Sequence, residues 1–191
     1  MNVALVDSHC HLDYPQFSDD LSGTLARAKN AGVGMMVTIG VKLTTFENVR
    51  AVAEQSDHIY CTIGVHPHEA GEEGLTSPDA LIAKASDPKV IGIGESGLDY
   101  FYDNSPREAQ QESFRAHIAA CRDTGLPLIV HTRDAEADTA RIIGEEMGKG
   151  VKSQHTYLPF LPTFEESVNH HNVDKYSEDH VDNFEKCVQI P

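Results

Sequence analysis

Two histidines one residue apart, His9 and His11, stand just beyond an apolar run that spans Val3–Asp7. On an extended segment, side chains two apart point the same way. The pair therefore projects two imidazoles together while Cys10 faces the other side. Two further groups take up similar positions. Glu95 follows the run Val90–Gly94 inside Gly92-Ile93-Gly94-Glu95-Ser96-Gly97, and His131 ends the run Leu128–His131. Each has an ordinary structural explanation when taken alone: a polar strand end, a loop acid in a glycine-rich turn, a satisfied rim histidine. Together, imidazoles and a carboxylate from three separate segments form a ligand set suited to divalent Zn, Mn or Mg. A carboxylate so placed can bridge two hard or borderline cations.

The elements that must position these groups alternate regularly through residues 1–150. Short runs rich in Val and Ile (Val3–Asp7, Gly34–Ile39, Ile59–Val65, Val90–Gly94, Leu128–His131) read as strands covered on both faces. Helix-like stretches separate them. Leu21, Leu25 and Ala28 share one face, and Gly32 stands where a C-cap glycine belongs. Ser105-Pro106-Arg107-Glu108 reads as a capping box with Pro at the first helical position. Phe114, Ile118 and Cys121 follow at helical spacing, and Gly125 closes that helix. Asp134 reads as the N-cap of a helix through Ile142 and Ile143. Five strand–helix units in succession predict an α/β fold with a parallel sheet, either a barrel or a doubly wound sheet. In such folds ligands collect at the carboxyl ends of the strands, where all three segments place their groups. From about residue 151 to 191 the texture changes to an irregular tail, with only a weak strand signal at Val151–Leu158.

Composition narrows the function classes. The chain has 191 residues, 15 Lys+Arg against 30 Asp+Glu, and a formal charge of -15. That balance argues against tight, non-specific binding along nucleic-acid backbones, which needs clustered cations. Contact with a few phosphates through metal remains compatible with it. No apolar stretch is long enough to span a bilayer, and the N-terminus lacks the basic region of a signal peptide. The expectation is a cytoplasmic protein with no membrane contact and no stable protein partner. Cys10, Cys61, Cys121 and Cys187 form no Cys-x-x-Cys pair and are expected to be reduced and mostly buried.

Four segments together resemble the TatD family of metal-dependent hydrolases. Val6-Asp7-Ser8-His9-Cys10-His11-Leu12-Asp13 is similar to the family's opening signature. Gly64-Val65-His66-Pro67-His68, Ile93-Gly94-Glu95-Ser96-Gly97-Leu98-Asp99-Tyr100 and Pro127-Leu128-Ile129-Val130-His131-Thr132-Arg133 are similar to three later ones, in order. The resemblance covers residues 3–148. It implies a TIM-type (β/α) barrel, about two divalent ions and hydrolysis of phosphodiesters, typically as a deoxyribonuclease acting on DNA ends from the 3′ side. Carried over by position, it implies that Glu95 bridges two ions, with His9 and His11 on one and His131 on the other. His66, His68 and Arg133 become candidate substrate contacts, while Asp99 and Tyr100 are expected to be structural; for Arg133 an ion pair on the barrel rim stays open.

The chain also departs from the family pattern. A strand ending in His-Cys-Phe-Thr-Gly and a later Thr-Asp-Ser-Pro segment, whose Asp is a ligand and the expected base, are not found in this sequence. A full barrel of this type takes about 250 residues. The expectation is an incomplete barrel of about five units (residues 1–150) with a divergent tail (151–191). His155 is a candidate stand-in for the missing histidine, and Asp174, Asp179 and Asp182 for the missing acid. Two alternatives stay open: a family member that keeps partial metal binding without turnover, and a related ester or amide hydrolase.

Overall fold

The computed structural model describes residues 5–147. Its framework is β1 (Leu5–Cys10), α1 (Pro15–Ser18), α2 (Leu21–Asn30), β2 (Val33–Thr38), α3 (Phe46–Ala53) and β3 (Ile59–Ile63). A 3-10 turn (Pro67–Glu69), α4 (Ala70–Glu73), α5 (Pro78–Ala85), β4 (Val90–Asp99), α6 (Arg107–Thr124), β5 (Leu128–Arg133) and α7 (Glu136–Met147) follow. All four strand pairings are parallel, and the sheet order is β1-β2-β3-β4-β5. A doubly wound sheet reverses direction at a switch point. Here every strand lies beside its successor in sequence, so the five units form an arc of a barrel. The incomplete TIM-type barrel is therefore the architecture of the described residues. Val151–Leu158, His155, Asp174, Asp179 and Asp182 lie outside them.

The helices cover the outer face of the arc because their apolar stripes match it. Phe46, Val49 and Val52 of α3 and Leu81 of α5 meet Ile59, Cys61, Ile63 and Ile93 of the sheet in one buried cluster. Leu21, Leu25 and Ala28 pack against its margin. A second cluster joins Phe114 and Ile118 of α6 and Ile142 of α7 to Leu98, Leu128 and Val130, with Cys121 and Ile143 packed against it. Truncating a buried ring such as Phe114 to Ala would cost roughly 3–5 kcal/mol. Glycine closes two helices as expected: Gly32 (φ 94°) follows α2, and Gly125 (φ 74°) ends α6 and donates to the Cys121 carbonyl.

Several boundaries differ from the sequence expectation. β1 runs on from Asp7 to Cys10, and β4 runs to Asp99, so Glu95 lies within a strand and not after it. The capping box at Ser105 does not form: α6 starts at Arg107 with Pro106 as its cap residue and no side-chain cap bond. Ser105 Oγ instead accepts from Gly71 N–H (3.0 Å) and donates to the His68 carbonyl (2.7 Å). A tertiary contact thus outcompetes the local cap. Asp134 sits in left-handed backbone (φ 51°), and the Ala135 carbonyl accepts the first bond of α7, from Thr139 N–H, so that helix begins one residue later than the Asp134 signal suggests. Among the described residues no helix is long and apolar enough to cross a membrane.

Candidate metal and active site

The carboxyl ends of β1, β4 and β5 and the loop after β3 converge on one cavity of about 400 Å³. Its lining includes His11, His66, His68, Glu95, His131 and Arg133, together with Tyr14, Glu69, Tyr102 and Asn104. Of the seven ligand and substrate-contact candidates that the resemblance implies, six therefore line this cavity. His9 adjoins the same floor, with Nε2 3.4 Å from Glu95 Oε2. Its ring stands edge-on to His11, centroids 5.3 Å apart, as expected of side chains two apart on one strand face. Cys10, between them, turns away and donates its thiol hydrogen to the Val37 carbonyl. Burial pushes that thiol up to about 12, so it stays protonated.

Glu95 is the centre of the floor and is 1% exposed. Burial works to raise its carboxyl pKa, but hydrogen bonding with His131 and His9 and the nearby His66 outweigh it and hold it below the usual carboxylate range. Its Oε1 is 3.3 Å from His131 Nδ1, while Oε2 has only the longer 3.4 Å contact with His9 Nε2 and no neighbour in full hydrogen-bonding geometry. His11 Nδ1 is likewise shut from solvent without one. Orphaned buried groups of this kind are uncommon and need an explanation. Donor atoms of His9, His11 and Glu95 lie within 4.8 Å of one another, as do those of His66, Glu95 and His131. A cation between them would satisfy the carboxylate oxygen and the imidazole lone pair at once, so the donor set fits divalent metal.

The second group needs one distinction. His66 Nδ1 accepts from the His68 N–H at 3.2 Å, closing the 3-10 turn. In a neutral ring that leaves the hydrogen on Nε2, which faces His131 Nδ1 at 3.3 Å. His66 is thereby set as an N–H donor toward the floor and not as a lone-pair ligand. His131 has the opposite arrangement. Its Nε2 donates to Asp99 Oδ2 at 3.1 Å; a ring carrying hydrogen on both nitrogens also donates Nδ1–H to Glu95, whereas in the neutral ring held by Asp99 the Nδ1 lone pair faces Glu95 and His66. Burial alone would lower the His131 pKa, but Glu95 and Asp99 on either side raise it.

Asp99 does more than the structural part expected of it. Fully buried, it accepts from His131 and, at 2.7 Å, from His68 Nε2, and its other oxygen accepts from the Phe101 and Tyr102 N–H groups. Burial favours its neutral form, yet these donors win and keep it ionised. The signal was present in the sequence: Glu95, Gly97 and Asp99 recur at the strand period of two. Gly97 permits the close pairing, since a Cβ there (φ 148°) would lie 1.9 Å from the His131 carbonyl oxygen. Tyr14, stacked on His11 at 4.7 Å, and Tyr102, with the Arg133 guanidinium 5.1 Å from its ring centre, carried no such signal, because loops brought them in.

Fold and site define the class: a parallel α/β barrel arc with imidazoles and carboxylates gathered at its carboxyl edge. The family model described as TatD related DNase matches residues 6–188, and the chain belongs to that family. It is 38% identical over 149 residues to the uncharacterized metal-dependent hydrolase YabD of Bacillus subtilis, covering 77% of this chain and 58% of that protein. It is 34% identical over 131 residues to the 3'-5' ssDNA/RNA exonuclease TatD of Salmonella typhimurium, covering 69% and 50%. Among solved structures, the TatD homolog YJJV from Escherichia coli superposes with a TM-score of 0.70 at 31% identity, covering 76% of this chain and 57% of that one. A TatD family hydrolase from Entamoeba histolytica shares the fold (TM-score 0.69, 23% identity, 76% and 55% covered). The chain thus spans 50% to 58% of the length of these relatives.

Proposed function

We propose that this chain is a metal-dependent phosphodiesterase, a TatD-like deoxyribonuclease that removes nucleotides from the 3′ end of nucleic acid in the cytoplasm. The observation that carries this reading is the shared floor: Glu95 stands between the His9–His11 pair and His131, and Glu95 Oε2 and His11 Nδ1 are buried there with no neighbour in hydrogen-bonding geometry. His9, His11, Glu95 and His131 would hold two divalent ions (Mg, Mn or Zn). When bound, these supply Lewis-acid polarisation of a phosphate and a water acidic enough to react near neutral pH. The chain's own groups do the rest. His66 offers an Nε2–H, and Arg133 on β5 a guanidinium, to the non-bridging oxygens of a phosphate entering the cavity. Asp99 holds His131 in the tautomer whose lone pair faces the floor. With a net charge of -15, contact confined to a strand end suits the molecule better than a long duplex groove.

The test is elemental analysis of folded protein, followed by incubation of a 5′-labelled single-stranded oligonucleotide with added Mn. One or two metal equivalents and a ladder shortening from the 3′ end are expected, and EDTA should stop it. A folded protein that neither retains metal nor cuts the strand rejects the proposal. A second reading is metal binding without turnover. Metal retention without a ladder would support it. Release of a carboxylate from ester or amide substrates, with none from phosphodiesters, would favour the related hydrolase alternative.

A further inference from the structure

Beside the cavity, the turn after β4 exposes two aromatic rings that the site chemistry does not use. Phe101 is 62% exposed and Tyr102 47%, whereas most large apolar side chains here are buried. This turn is held in place. Asp99 Oδ1 accepts from the N–H groups of both residues, at 3.1 and 3.0 Å. At the far end, Arg107 grips Asp103 through two hydrogen bonds of 2.9 and 2.8 Å. Tyr102 lines the cavity, with the His68 ring edge-on at 5.5 Å and the Arg133 guanidinium near its face. Phe101 stands edge-on to Tyr102, centroids 4.8 Å apart, and carries the aromatic surface outward from the cavity.

We propose that Phe101 and Tyr102 form a stacking shelf for the base next to the scissile phosphate of a single-stranded nucleic-acid end. The inference rests on the nuclease reading and specifies how that site would recognise its substrate. A base in a duplex is already stacked on its neighbours and cannot lie on a protein ring, whereas an unpaired one can. The acidic chain gains little from general backbone attraction, so stacking must supply a larger share of affinity than in a basic groove. Because the turn is fixed by Asp99 and Arg107, little ordering is needed when a base arrives. Arg133, near the Tyr102 ring and in the cavity wall, links the shelf to the place where a phosphate would enter.

The decisive experiment measures binding of a short phosphorothioate-linked thymidine oligomer, and of an abasic oligomer of equal length, by fluorescence anisotropy in Mg buffer. The whole protein should prefer the base-bearing oligomer by about tenfold or more, the scale of one stacked base. Phe101→Ala with Tyr102→Ala should erase the preference. Phe101→Trp should keep it and, in a chain without other tryptophan, report binding by a change in emission. Equal affinity for the two oligomers, no binding of either, or a preference that survives the double substitution overturns the shelf. Hydrolysis of a small chromogenic phosphodiester by the unaltered protein reports on the nuclease reading separately. Its absence rejects that reading alone, since the binding preference is measured without turnover.

Discussion

On the β1 side of the site, Leu5 and Val6 are 61% and 56% exposed, and His11 Nδ1 has no hydrogen-bond partner among the described residues. On the β4–β5 side, Glu95, Asp99 and His131 are each at most 3% exposed and are tied into one network. The same chemistry, imidazole toward carboxylate, is thus built to two standards. β5 and β4 align from Ser96 to Asp99 against Val130 to Arg133, with a glycine at the closest approach. β1 pairs with β2 through an irregular register between Asp7 and Cys10, the stretch that delivers His9. The buried wall is preorganised by protein–protein hydrogen bonds. The β1 wall is the one whose geometry a cation would complete.

The largest effect is expected at the group common to both walls. Glu95→Gln keeps the shape and removes the negative charge that faces both sets of donors. Metal per chain should fall to background, and any phosphodiester hydrolysis should drop by about a thousandfold, the scale of several kcal/mol of lost electrostatic stabilisation. Elemental analysis and a rate measurement check this. Retained metal would remove Glu95 from the centre of the comparison.

Next, the walls should respond differently to losing their imidazoles. His9→Ala with His11→Ala should release metal and leave the melting temperature nearly unchanged, because both rings are only partly buried. His131→Ala should release metal and also lower the melting temperature, since it strips a donor from buried Asp99 at a cost of about 1–3 kcal/mol. Equal thermal shifts in the two variants would break the distinction.

Asp99→Asn sharpens it further. An amide there can still accept from the Phe101 and Tyr102 N–H groups, but its NH2 would confront the Nε2–H of His131 or His68. His131 would then favour the tautomer with its hydrogen toward Glu95. Metal affinity, followed by titration with Mn, should weaken by about 10–100-fold. An unchanged affinity would mean that Asp99 only supports the turn.

How much of this was legible beforehand differed along the same line. His-x-His, the glycine-flanked Glu95 and His131 sit on strands, where a period of two and a short apolar run fix both position and facing direction, and the structure gathers them as the spacing implies. Residues that reach the site through loops were not legible. Tyr14, Tyr102 and Asn104 depend on where turns land, and nothing local encodes that. Ser105 shows the converse failure: a sound capping signal lost to a tertiary contact with Gly71 and the His68 carbonyl. Asp99 lay within reach, as the third member of an i, i+2, i+4 series, yet its four hydrogen bonds require partners from three other segments.

The smallest expected effect lies one layer farther out and concerns how the His66–His68 segment is held. His117 on α6 is fully buried, accepts from the Val65 N–H at 2.9 Å and faces the Ser113 carbonyl at 2.7 Å. It therefore anchors the chain just before His66 while remaining neutral, and burial lowers its pKa to about 4 from an ordinary 6.5. Below pH 6.5 the unfolded chain takes up a proton that the folded one refuses. The stability tied to neutral His117 is thus complete above that pH and is lost as the pH falls toward about 4. His131 works in the opposite sense, because its raised pKa adds stability at low pH that is lost as pH rises. Between pH 6 and 5 the His117 contribution should decline by about 1 kcal/mol, somewhat under the limit of about 1.4 kcal/mol for one proton per pH unit. Urea unfolding at the two pH values reads this, and His117→Gln, which can still accept from Val65, should flatten the slope by that amount. An identical slope in the variant would show that acid loosens the molecule elsewhere, with the His131 network as the next place to look.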